Sequence, residues 1–583
     1  MKEKNYNLFW AELMIEELVR LGCDQFVICP GSRSTPLTVA AARHSEAETH
    51  IVYDERAAAY WALGYARATT RPACVITTSG TAAANLLPAA TEASNDHVPL
   101  LFLTADRPPE LLDAGANQAI GQCGLFGQFV RWQKALPCPT DKIDPAYVLT
   151  TVDQAVFRAI TGRSGPVHLN CAYREPLMGE DDIPMPASLL AWQGCDKPYT
   201  HYARPRVTLC EQAANEVRSL LEQTKRGLLF VGCLTSETER QAVEGLIATL
   251  NWPVYADLAS GLRLKDTGTH IIRYFDQVRM PEAFSEACKV ETVLHIGARI
   301  VSKRVGLFLA DQRPTHFIQL VSSPDRQDAI HSVTCRLQGD IAEIVSLIKP
   351  KGPTSQDTTY TDLYNSSAGA CEKIIARHIA EEDTLTEPYV ARRITELIPA
   401  QTSLFVSNSM PVRDVDIYGA HGRDPIHIGL NRGVSGIDGI LATATGFAQG
   451  HATMTTLLIG DLACLHDLNS LLLVAQSSQP MIIVVINNHG GGIFRFLPIA
   501  EHTDVFEDFF VTPHAVSFEG VAHDFGLIYK KPDTKTDFDQ AYLEAIQART
   551  SCLIEVTTDS QHSYELRKRM KQAMLTVFAD TIK

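Results

Sequence analysis

The sequence predicts an α/β protein built from three doubly wound parallel sheets. Three observations lead to this prediction: a length of 583 residues, short apolar runs that recur in three successive stretches, and helical segments between those runs. Short, continuously apolar runs are typical of strands buried on both faces, which crossover helices connect in parallel sheets. A chain of this length exceeds a single ordinary core, so several domains are expected.

The first domain is predicted over residues 1–185. It opens with an amphipathic helix, because apolar residues recur at helical spacing among Glu12, Glu16, Glu17 and Arg20. With these charges, an amphipathic helix rather than a signal peptide is expected. Buried strands are predicted at 26–29, 73–78, 100–105 and 167–171, with a strand-like segment at 50–53.

The second and third domains are predicted over residues 200–348 and 380–583. Pro- and Asp-rich passages around 181–205 and at 349–362 are interpreted as linkers. Strands of the second domain are predicted at 227–232, 253–258, 292–297 and 316–320. Those of the third domain are predicted at 403–408, 425–429, 455–461, 481–488 and 552–556.

Composition excludes several classes of function. The net charge of -15 argues against a nucleic-acid partner, and no apolar run is long enough to span a bilayer. The 14 cysteines are scattered without a CxxC pair, so zinc and redox sites are not indicated. Buried free thiols fit a reducing compartment, and a cytoplasmic location is expected.

The sharpest local signal lies in the third domain, where two apolar runs end in polar residues. One ends at Gly460-Asp461-Leu462 and the next at Asn487-Asn488. The carboxyl ends of neighbouring parallel strands meet at one sheet edge, where ligands of open α/β sheets bind. The pattern predicts a hard cation held by Asp461, Asn488 and the carbonyl of Gly490. The alternative is two ordinary strand ends followed by turn residues.

Glycines follow the second of these strand ends at once. Gly490, Gly491 and Gly492 would let the backbone approach a diphosphate closely. In the first domain, Glu55 stands between the strand-like segment at 50–53 and a helical stretch. The bland interpretation of Glu55 is a carboxylate in the first turn of a helix, where the helix dipole favours it.

Longer segments resemble one enzyme family. They are PGSRSTPLT (30–38), DER (54–56), TSGTAAANL (78–86), TADRPPEL (104–111), GANQAI (115–120), SKR (302–304), SNSMPVRD (407–414), NRGVSGIDG (431–439), GDL–DLN (460–469) and NNHGGGIF (487–494). In this order the sequence resembles the 2-succinyl-5-enolpyruvyl-6-hydroxy-3-cyclohexene-1-carboxylate synthases of menaquinone biosynthesis, which are thiamine-diphosphate enzymes. Leu462 departs from the GDG signature that is usual in the wider superfamily.

The resemblance implies the cofactors and the assembly. Thiamine diphosphate would bind with Mg²⁺, or with Mn²⁺ in its place, between a pyrimidine-binding domain of one chain and a diphosphate-binding domain of another. A homodimer or a dimer of dimers is therefore implied. Glu55 would contact the aminopyrimidine and activate the cofactor. Gly460, Asp461, Leu462, Asn488, Gly490, Gly491, Ser409 and Ile437 would bind the cofactor, with Ile437 bending it.

The resemblance also implies the substrates, 2-oxoglutarate and isochorismate, each a dianion. A strongly negative chain must gather cations locally to bind them, and the matched segments do contain basic residues, six of which are assigned to the substrates. Arg413 and Arg432, with Ser409, are assigned to 2-oxoglutarate and Ser32 to the reacting groups. Isochorismate is assigned Arg33, Arg107, Asn117, Gln118, Lys303 and Arg304, with an apolar wall of Ile493, Phe494 and Leu497.

Alternatives stay open from the sequence alone. Any one arginine could form a surface salt bridge, and Ile437, Ile493 and Phe494 could be core residues. An acetohydroxyacid-synthase-like enzyme or a simple 2-oxoacid decarboxylase would share the cofactor, but six basic residues exceed what pyruvate needs. A non-catalytic scaffold would not require Glu55, Asp461 and Asn488 together. His466 and His489 receive no catalytic role.

Overall fold

The structure, a computed structural model, describes residues 4–179, 183–265, 270–278, 282–300, 302–420 and 426–581. Three predicted features lie partly outside these ranges: residues 1–3 of the first helix, residues 181–182 of the first linker, and Pro425 of a third-domain strand. Among the described residues, no helix combines the length and apolar character that crossing a membrane requires.

The first sheet has six parallel strands. They are β1 (Gln25–Ile28), β2 (Glu48–Ile51), β3 (Ala73–Thr77), β4 (Leu100–Asp106), β5 (Trp132–Leu136) and β6 (Pro166–Ala172). Their spatial order is β2-β1-β3-β4-β6-β5. The helices are α1 (Asn7–Arg20), α2 (Thr35–Arg43), α3 (Glu55–Thr69), α4 (Thr81–Ala84), α5 (Leu87–Asp96), α6 (Ala146–Ile160) and α7 (Leu190–Gln193).

The second sheet has five parallel strands. They are β7 (Gly227–Val231), β8 (Val254–Ala256), β9 (Thr292–Ile296), β10 (His316–Val321) and β11 (Cys335–Gln338), in the order β11-β10-β9-β7-β8. Its helices are α8 (Glu211–Gln223), α9 (Glu237–Leu250), α10 (Phe275–Val278), α11 (Glu282–Ala287), α12 (Lys303–Gln312), α13 (Ile341–Ile348) and α14 (Thr358–Glu381).

The third sheet again has six parallel strands. They are β12 (Thr402–Val406), β13 (Ile426–Gly429), β14 (Thr455–Gly460), β15 (Met481–Asn487), β16 (Ile528–Lys530) and β17 (Cys552–Thr557), in the order β13-β12-β14-β15-β17-β16. The helices are α15 (Glu387–Leu397), α16 (Met410–Tyr418), α17 (Ile440–His451), α18 (Asp461–His466), α19 (Leu471–Gln476), α20 (Thr503–Phe506), α21 (Glu519–Asp524), α22 (Lys535–Ala548) and α23 (Ser560–Thr581).

The predicted three parallel sheets are confirmed, and the long apolar runs form their central strands. The edge strands β5, β11 and β16 were not predicted, because their sequences WQKAL, CRLQ and IYK contain few consecutive apolar residues. The linker predicted at 349–362 is wrong in its second half. Helix α14 begins at Thr358, where the Asp357 side chain accepts a hydrogen bond from the Tyr360 N–H and caps the helix. The domain boundaries stay predictions.

By compactness the chain divides into two units. One comprises Met1–Pro205, Asn431–Ala452 and His466–Gln479, and the other comprises Arg206–Leu430, Thr453–Leu465 and Pro480–Lys583. We call them the first and second units. Helices α17 and α19, which follow the third sheet's strands in sequence, therefore group with the first sheet. Helix α17 groups with the first sheet because it packs closely on α3 within the first unit.

Glycines allow that close packing. A Cβ atom added to Gly64 of α3 would lie 1.9 Å from the Thr443 carbonyl oxygen of α17, and one added to Gly446 would lie 1.9 Å from the Trp61 carbonyl oxygen. The two helix backbones thus touch directly. Since α3 begins at Glu55 and α17 follows the segment that carries Ile437, the contact holds two predicted site segments together.

Helix α1 departs from simple amphipathicity at Glu17, whose side chain is buried. Its two carboxylate oxygens accept hydrogen bonds from the Trp192 indole N–H and from the Tyr199 backbone N–H, both at 2.6 Å. Burial, together with the nearby Asp153 carboxyl, raises the pKa of Glu17 to about 8. The carboxyl thus anchors the segment that follows α7 to the first domain.

Candidate active site

The predicted cation ligands meet at one edge of the third sheet, in the second unit. Strands β14 and β15 are adjacent and parallel, and Gly460 pairs with Ile486 in their register. Asp461 therefore follows one strand where Asn488 follows the next. The Asp461 carboxylate is buried and accepts hydrogen bonds from the Gly490 N–H at 2.9 Å and the Leu462 N–H at 2.7 Å. The sheet topology thus places them as the sequence predicted.

Burial raises the pKa of Asp461, while the N–H groups of Leu462 and Gly490 lower it. His514 was not predicted to belong here, yet its Nε2 lies 3.2 Å from an Asp461 oxygen. The His489 ring lies against that of His514, with centroids 5.7 Å apart. No local motif pointed to His514, because it lies 53 residues beyond Asp461 in the chain.

The Asn488 side chain has an unusual environment. Its Nδ2 donates to the Glu387 carboxylate at 2.7 Å, whereas its Oδ1 is buried without a hydrogen-bond partner in the structure. Buried amide oxygens are rarely left unpaired, so such an atom requires an explanation. Within the described ranges no three His, Cys, Asp or Glu side chains form a cluster that could hold a metal ion. A cation here would need the mixed carboxylate, amide and carbonyl set that Asp461, Asn488 and Gly490 offer.

The glycines after Asn488 are required by close packing. A Cβ on Gly490, whose φ is +152°, would lie 2.3 Å from the Val511 carbonyl oxygen, and one on Gly491 would lie 2.6 Å from the Phe510 carbonyl oxygen. A Cβ on Gly492 would lie 2.8 Å from the Asn488 Nδ2. The residues present therefore fit a hard cation bound beside a diphosphate, with backbone on one side and the Asn488 oxygen on the other.

The remaining predicted residues of the second unit lie on α12, on α16 and after Gly491. Arg413 is exposed on α16 and donates a hydrogen bond to the Ser409 carbonyl. Lys303 and Arg304 are exposed in the first turn of α12, which the Ser302 side chain caps. Tyr418 lies at the end of α16. Burial raises the pKa of its hydroxyl, and the positive charge of Arg304 acts in the opposite direction.

The apolar wall predicted after Gly491 is partly open to solvent. Ile493 and Phe494 are half-buried in a 3-10 helix at Gly492–Phe496, and Leu497 is 47% exposed. The Phe494 and Phe510 rings meet edge to face, with centroids 5.6 Å apart. None of the three wall residues is a fully buried core residue, which weakens the interpretation as plain core packing.

In the first unit, the residues on either side of Glu55 form the hydrogen bonds that fix the start of α3. The Asp54 side chain accepts hydrogen bonds from the N–H groups of Arg56 and Ala57 and so caps α3. Arg56 donates to the carbonyl oxygen and the ring Nδ1 of His466, at 3.0 and 3.2 Å. The half-buried Glu55 carboxylate forms no hydrogen bond or ion pair with the described part of the chain. Glu55 does lie in the first turn of α3, as the alternative interpretation requires, but the hydrogen bonds that cap the helix are made by Asp54.

Two predicted isochorismate-binding arginines lie near each other in the first unit. Arg33 is buried and donates to the Tyr173 carbonyl at 3.1 Å and to Glu175 at 2.9 Å. Burial and the nearby Arg33 charge both lower the pKa of Arg107. The two positive charges repel each other, and the Asp106 and Glu175 carboxylates offset this effect by raising the pKa of Arg107.

Arg107 also belongs to a polar cluster around Ser79. It donates to the Ser79 hydroxyl, which itself donates to the Gln118 carbonyl at 3.0 Å. The Gln118 amide donates back to the Ser79 carbonyl at 2.9 Å. Ser32 and Asn117, the other predicted residues of this region, are exposed. The structure thus brings Arg107 and Gln118 together at Ser79, while Arg33 is near enough for its charge to act on Arg107.

Arg432 and Ile437 lie on the segment before α17. The buried Glu92 carboxylate accepts hydrogen bonds from the N–H groups of Gly433 and Val434, both at 2.7 Å, and so anchors the segment to α5. Glu92 was not predicted, because nothing in its local sequence marks it. Arg432 is half-buried, and Ile437 is 36% exposed, which argues against simple core packing.

Backbone conformation marks the same segments. Several non-glycine residues with positive φ fall within or beside the predicted motifs: Gln118 (+58°), Ser409 (+69°), Ser435 (+60°) and His489 (+59°). Such conformations are costly for residues with side chains and are concentrated at functional sites. They support a functional role for these loops independently of the side chains.

Family models match three successive parts of the chain. They are the N-terminal TPP binding domain of thiamine pyrophosphate enzymes over residues 10–125, the middle domain over 185–406 and the C-terminal TPP binding domain over 425–556. Curated proteins named 2-succinyl-5-enolpyruvyl-6-hydroxy-3-cyclohexene-1-carboxylate synthase also match. The Salinibacter ruber protein is 43% identical, covering 98% of this chain and 97% of its own. Those of Rubrobacter xylanophilus (42%; 97% and 98%) and Chlorobaculum tepidum (40%; 99% and 99%) are similar.

Proposed function

Because the chain belongs to the 2-succinyl-5-enolpyruvyl-6-hydroxy-3-cyclohexene-1-carboxylate synthase family of thiamine-diphosphate enzymes, we propose that it performs the reaction of that family. It is a transferase that forms a C–C bond in menaquinone biosynthesis. It decarboxylates 2-oxoglutarate and adds the remaining four-carbon unit to isochorismate, releasing carbon dioxide. The observation that carries this proposal is similarity over almost the full length to relatives bearing that name.

The second unit would hold the diphosphate end of the cofactor. Asp461, the Asn488 oxygen and the Gly490 carbonyl would hold Mg²⁺ or Mn²⁺, and Gly490 and Gly491 would let the backbone approach the diphosphate. Thiamine diphosphate supplies, when bound, the carbon nucleophile on which decarboxylation and carboligation depend. The unpartnered Asn488 oxygen supports this arrangement, since a cation would satisfy it.

Glu55 is the acid–base group that we assign to the aminopyrimidine. Its neighbours satisfy the helix end and the contact to His466, so its carboxylate is available to a ligand. Ile437 would press against the cofactor from its anchored segment. We assign Arg413 and Arg432, with Ser409, to 2-oxoglutarate, where guanidinium groups would bind carboxylates in pairs of hydrogen bonds. Ser32 is assigned to the reacting groups.

Isochorismate would bind to the cluster around Ser79. Arg33 and Arg107 are two close cations in a chain with a net charge of -15, so an anion of two carboxylates suits them. Asn117 and Gln118 would add polar contacts, and Lys303 and Arg304 further positive charge. Ile493, Phe494 and Leu497 would exclude water from the ring.

We also propose that two chains share each site, in a homodimer or a dimer of dimers in the cytoplasm. Ile51 and Tyr53, just before Glu55, are 48% and 69% exposed, which suits coverage by a second copy. None of the 14 cysteines, all of which lie in the part of the chain that the structure describes, forms a disulfide, which suits a reducing compartment. Mixing two inactive variants tests the sharing. Chains with Glu55→Gln and chains with Asp461→Ala would restore activity only if one site takes Glu55 and Asp461 from different chains.

Product analysis tests the reaction itself. The purified chain is mixed with 2-oxoglutarate, isochorismate, thiamine diphosphate and Mg²⁺, and the products are identified by mass spectrometry. We expect the carboligation product only when the cofactor and both substrates are present. Turnover of pyruvate in preference to 2-oxoglutarate would instead favour an acetohydroxyacid-synthase-like enzyme. Absence of cofactor binding by calorimetry would favour a non-catalytic scaffold.

A further inference from the structure

The orientation of the Asn488 amide is determined by its partner. Nδ2 donates to the Glu387 Oε1 at 2.7 Å. A carboxylate accepts hydrogen bonds and cannot donate them, so the NH₂ group must face Glu387. The amide oxygen must therefore face the opposite way, and it is this Oδ1 that is buried without a partner. The contact with Glu387 decides which of the two amide atoms is offered to the predicted cation.

Glu387 is in turn fixed by a buried arginine. It is 4% exposed in the first turn of α15, and its second oxygen, Oε2, accepts from the Arg567 Nη2 at 2.6 Å. Arg567, on α23, is 9% exposed and also donates to both oxygens of Asp414 on α16, at 2.7 and 2.8 Å. Burial opposes the Arg567 charge, but Asp414 and Glu387 together raise its pKa, so it stays charged. Arg567 thus occupies Oε2, and Oε1 is the oxygen that faces Asn488.

We propose that Glu387, held by Arg567, is a positioning residue that presents the Asn488 amide oxygen to the metal ion. This inference rests on the proposed function, since it requires a cation at Asp461, Asn488 and Gly490. Glu387 touches neither the predicted cation nor the cofactor. Its role is to forbid the flipped amide, which would direct an NH₂ donor at a positive charge. Supporting residues of this kind orient the ligands of many metal sites.

Glu387→Gln replaces one carboxylate oxygen with an NH₂ group and should reverse the orientation of the Asn488 amide. In Glu387→Gln, the new amide oxygen must face the Arg567 donor, because an NH₂ group there would meet another donor. The new NH₂ group then faces Asn488, which must flip to accept from it. The flipped Asn488 directs its NH₂ group into the cation site. The variant therefore loses a metal ligand without any change in side-chain size.

A purely structural role of the same residues predicts something different. Arg567 joins α23 to α15 and α16, so the network also stabilises the second unit. If that were its entire role, Glu387→Gln would lower stability and leave metal affinity as it is. Glu382 provides a matched control, because its side chain also pairs with α23, through Arg569 and His562 rather than through a contact with Asn488. Glu382→Gln should perturb α23 and leave the metal site intact.

The test measures Mn²⁺ binding by electron paramagnetic resonance, in the presence of thiamine diphosphate and without substrates. We expect Glu387→Gln to raise the Mn²⁺ dissociation constant roughly 10–100-fold, while Glu382→Gln stays within about twofold of the wild type. Adding Asn488→Asp to Glu387→Gln should restore binding, because an aspartate accepts from the new NH₂ group and offers its other oxygen to the metal. Circular dichroism monitors the fold throughout.

The outcomes separate this inference from the function on which it rests. If wild-type protein bound no Mn²⁺ with the cofactor, the proposed metal site and this inference would both fail. If the wild type bound it and Glu387→Gln bound it equally well, only the positioning role would be overturned. If Glu387→Gln does not fold, Mn²⁺ binding by the single variant Asn488→Asp tests the positioning role instead. This variant should bind Mn²⁺ more weakly than the wild type, because its carboxylate faces that of Glu387, and tighter binding would refute the role.

Discussion

The contact between α3 and α17 gives the most direct quantitative prediction. In Gly64→Ala, the added Cβ would lie 1.9 Å from the Thr443 carbonyl oxygen, and ordinary contact requires about 3.4 Å. The helices must then separate by about 1.5 Å, because the obstacle is backbone rather than a movable side chain. Overpacking of this kind costs roughly 1–3 kcal/mol. Alanine's higher helix propensity recovers about 1 kcal/mol at most, so the net change is destabilising.

Gly369 offers a control of the same chemistry. It lies inside α14, is exposed, and has no atom within 4 Å of the position of an added Cβ. Gly369→Ala should therefore stabilise the protein by about 0.5–1 kcal/mol through helix propensity alone. The two substitutions share the same gain in helix propensity and differ only in their surroundings, so their stabilities should differ by the overpacking cost alone, roughly 1–3 kcal/mol.

Thermal unfolding followed by differential scanning fluorimetry measures this difference. For a domain of about 200 residues, 1 kcal/mol shifts the midpoint by roughly 2–4 °C, so Gly64→Ala should melt several degrees below Gly369→Ala. Cofactor binding, measured by calorimetry, should weaken only in Gly64→Ala, because α3 begins at Glu55 and α17 follows Ile437. A Gly64→Ala protein as stable as Gly369→Ala, with unchanged cofactor affinity, would show that the helices do not need direct backbone contact.

Three further predictions concern single carboxylates and cations. Glu55→Gln should lower kcat by orders of magnitude and leave the circular dichroism spectrum unchanged; near-normal turnover would contradict the role of Glu55. Arg107→Ala should raise the KM for isochorismate roughly tenfold or more, whereas Arg174→Ala, which removes the exposed pair with Glu110, should not; equal effects of the two substitutions would argue against a contact between Arg107 and the substrate. Because the folded-state pKa of Glu17, about 8, lies above the ordinary 4.5, its deprotonation should lower stability as pH rises between these values. Melting midpoints measured across this range should fall less steeply for Glu17→Gln, and parallel slopes would refute the assignment.

Much of the fold could be predicted from the sequence, because buried parallel strands are continuous apolar runs. Strands such as β4 and β15 follow their runs closely. Edge strands such as β5 could not be predicted in this way, since one side of such a strand meets solvent and its residues need not be apolar. Helix α14 was missed in part because Thr358–Tyr360 follows a Pro- and Gly-rich passage, and only the cap at Asp357 marks where the helix begins.

The residues of the candidate site also fall into those that local sequence could predict and those that it could not. Asp461 and Asn488 could be predicted because each directly follows a strand, and strand ends meet at a known edge. Glu387 and Arg567 could not, because they are 180 positions apart in sequence and only the fold brings them together. Glu17, likewise, resembles any other charged residue of α1 until the segment that follows α7 covers it. Long-range polar contacts carry no local periodicity.

The division of the chain into two interleaved units has a consequence for dissecting the protein. The polypeptide leaves the first unit after Pro205, returns to it for Asn431–Ala452, and returns again for His466–Gln479. No single cut therefore yields either unit whole, and a fragment ending at Pro205 would expose the glycine face of α3 to water. We expect such fragments to aggregate rather than fold. An experiment that transfers one part of this chain to another protein would therefore have to carry segments from three separate regions of the sequence to keep the first unit whole.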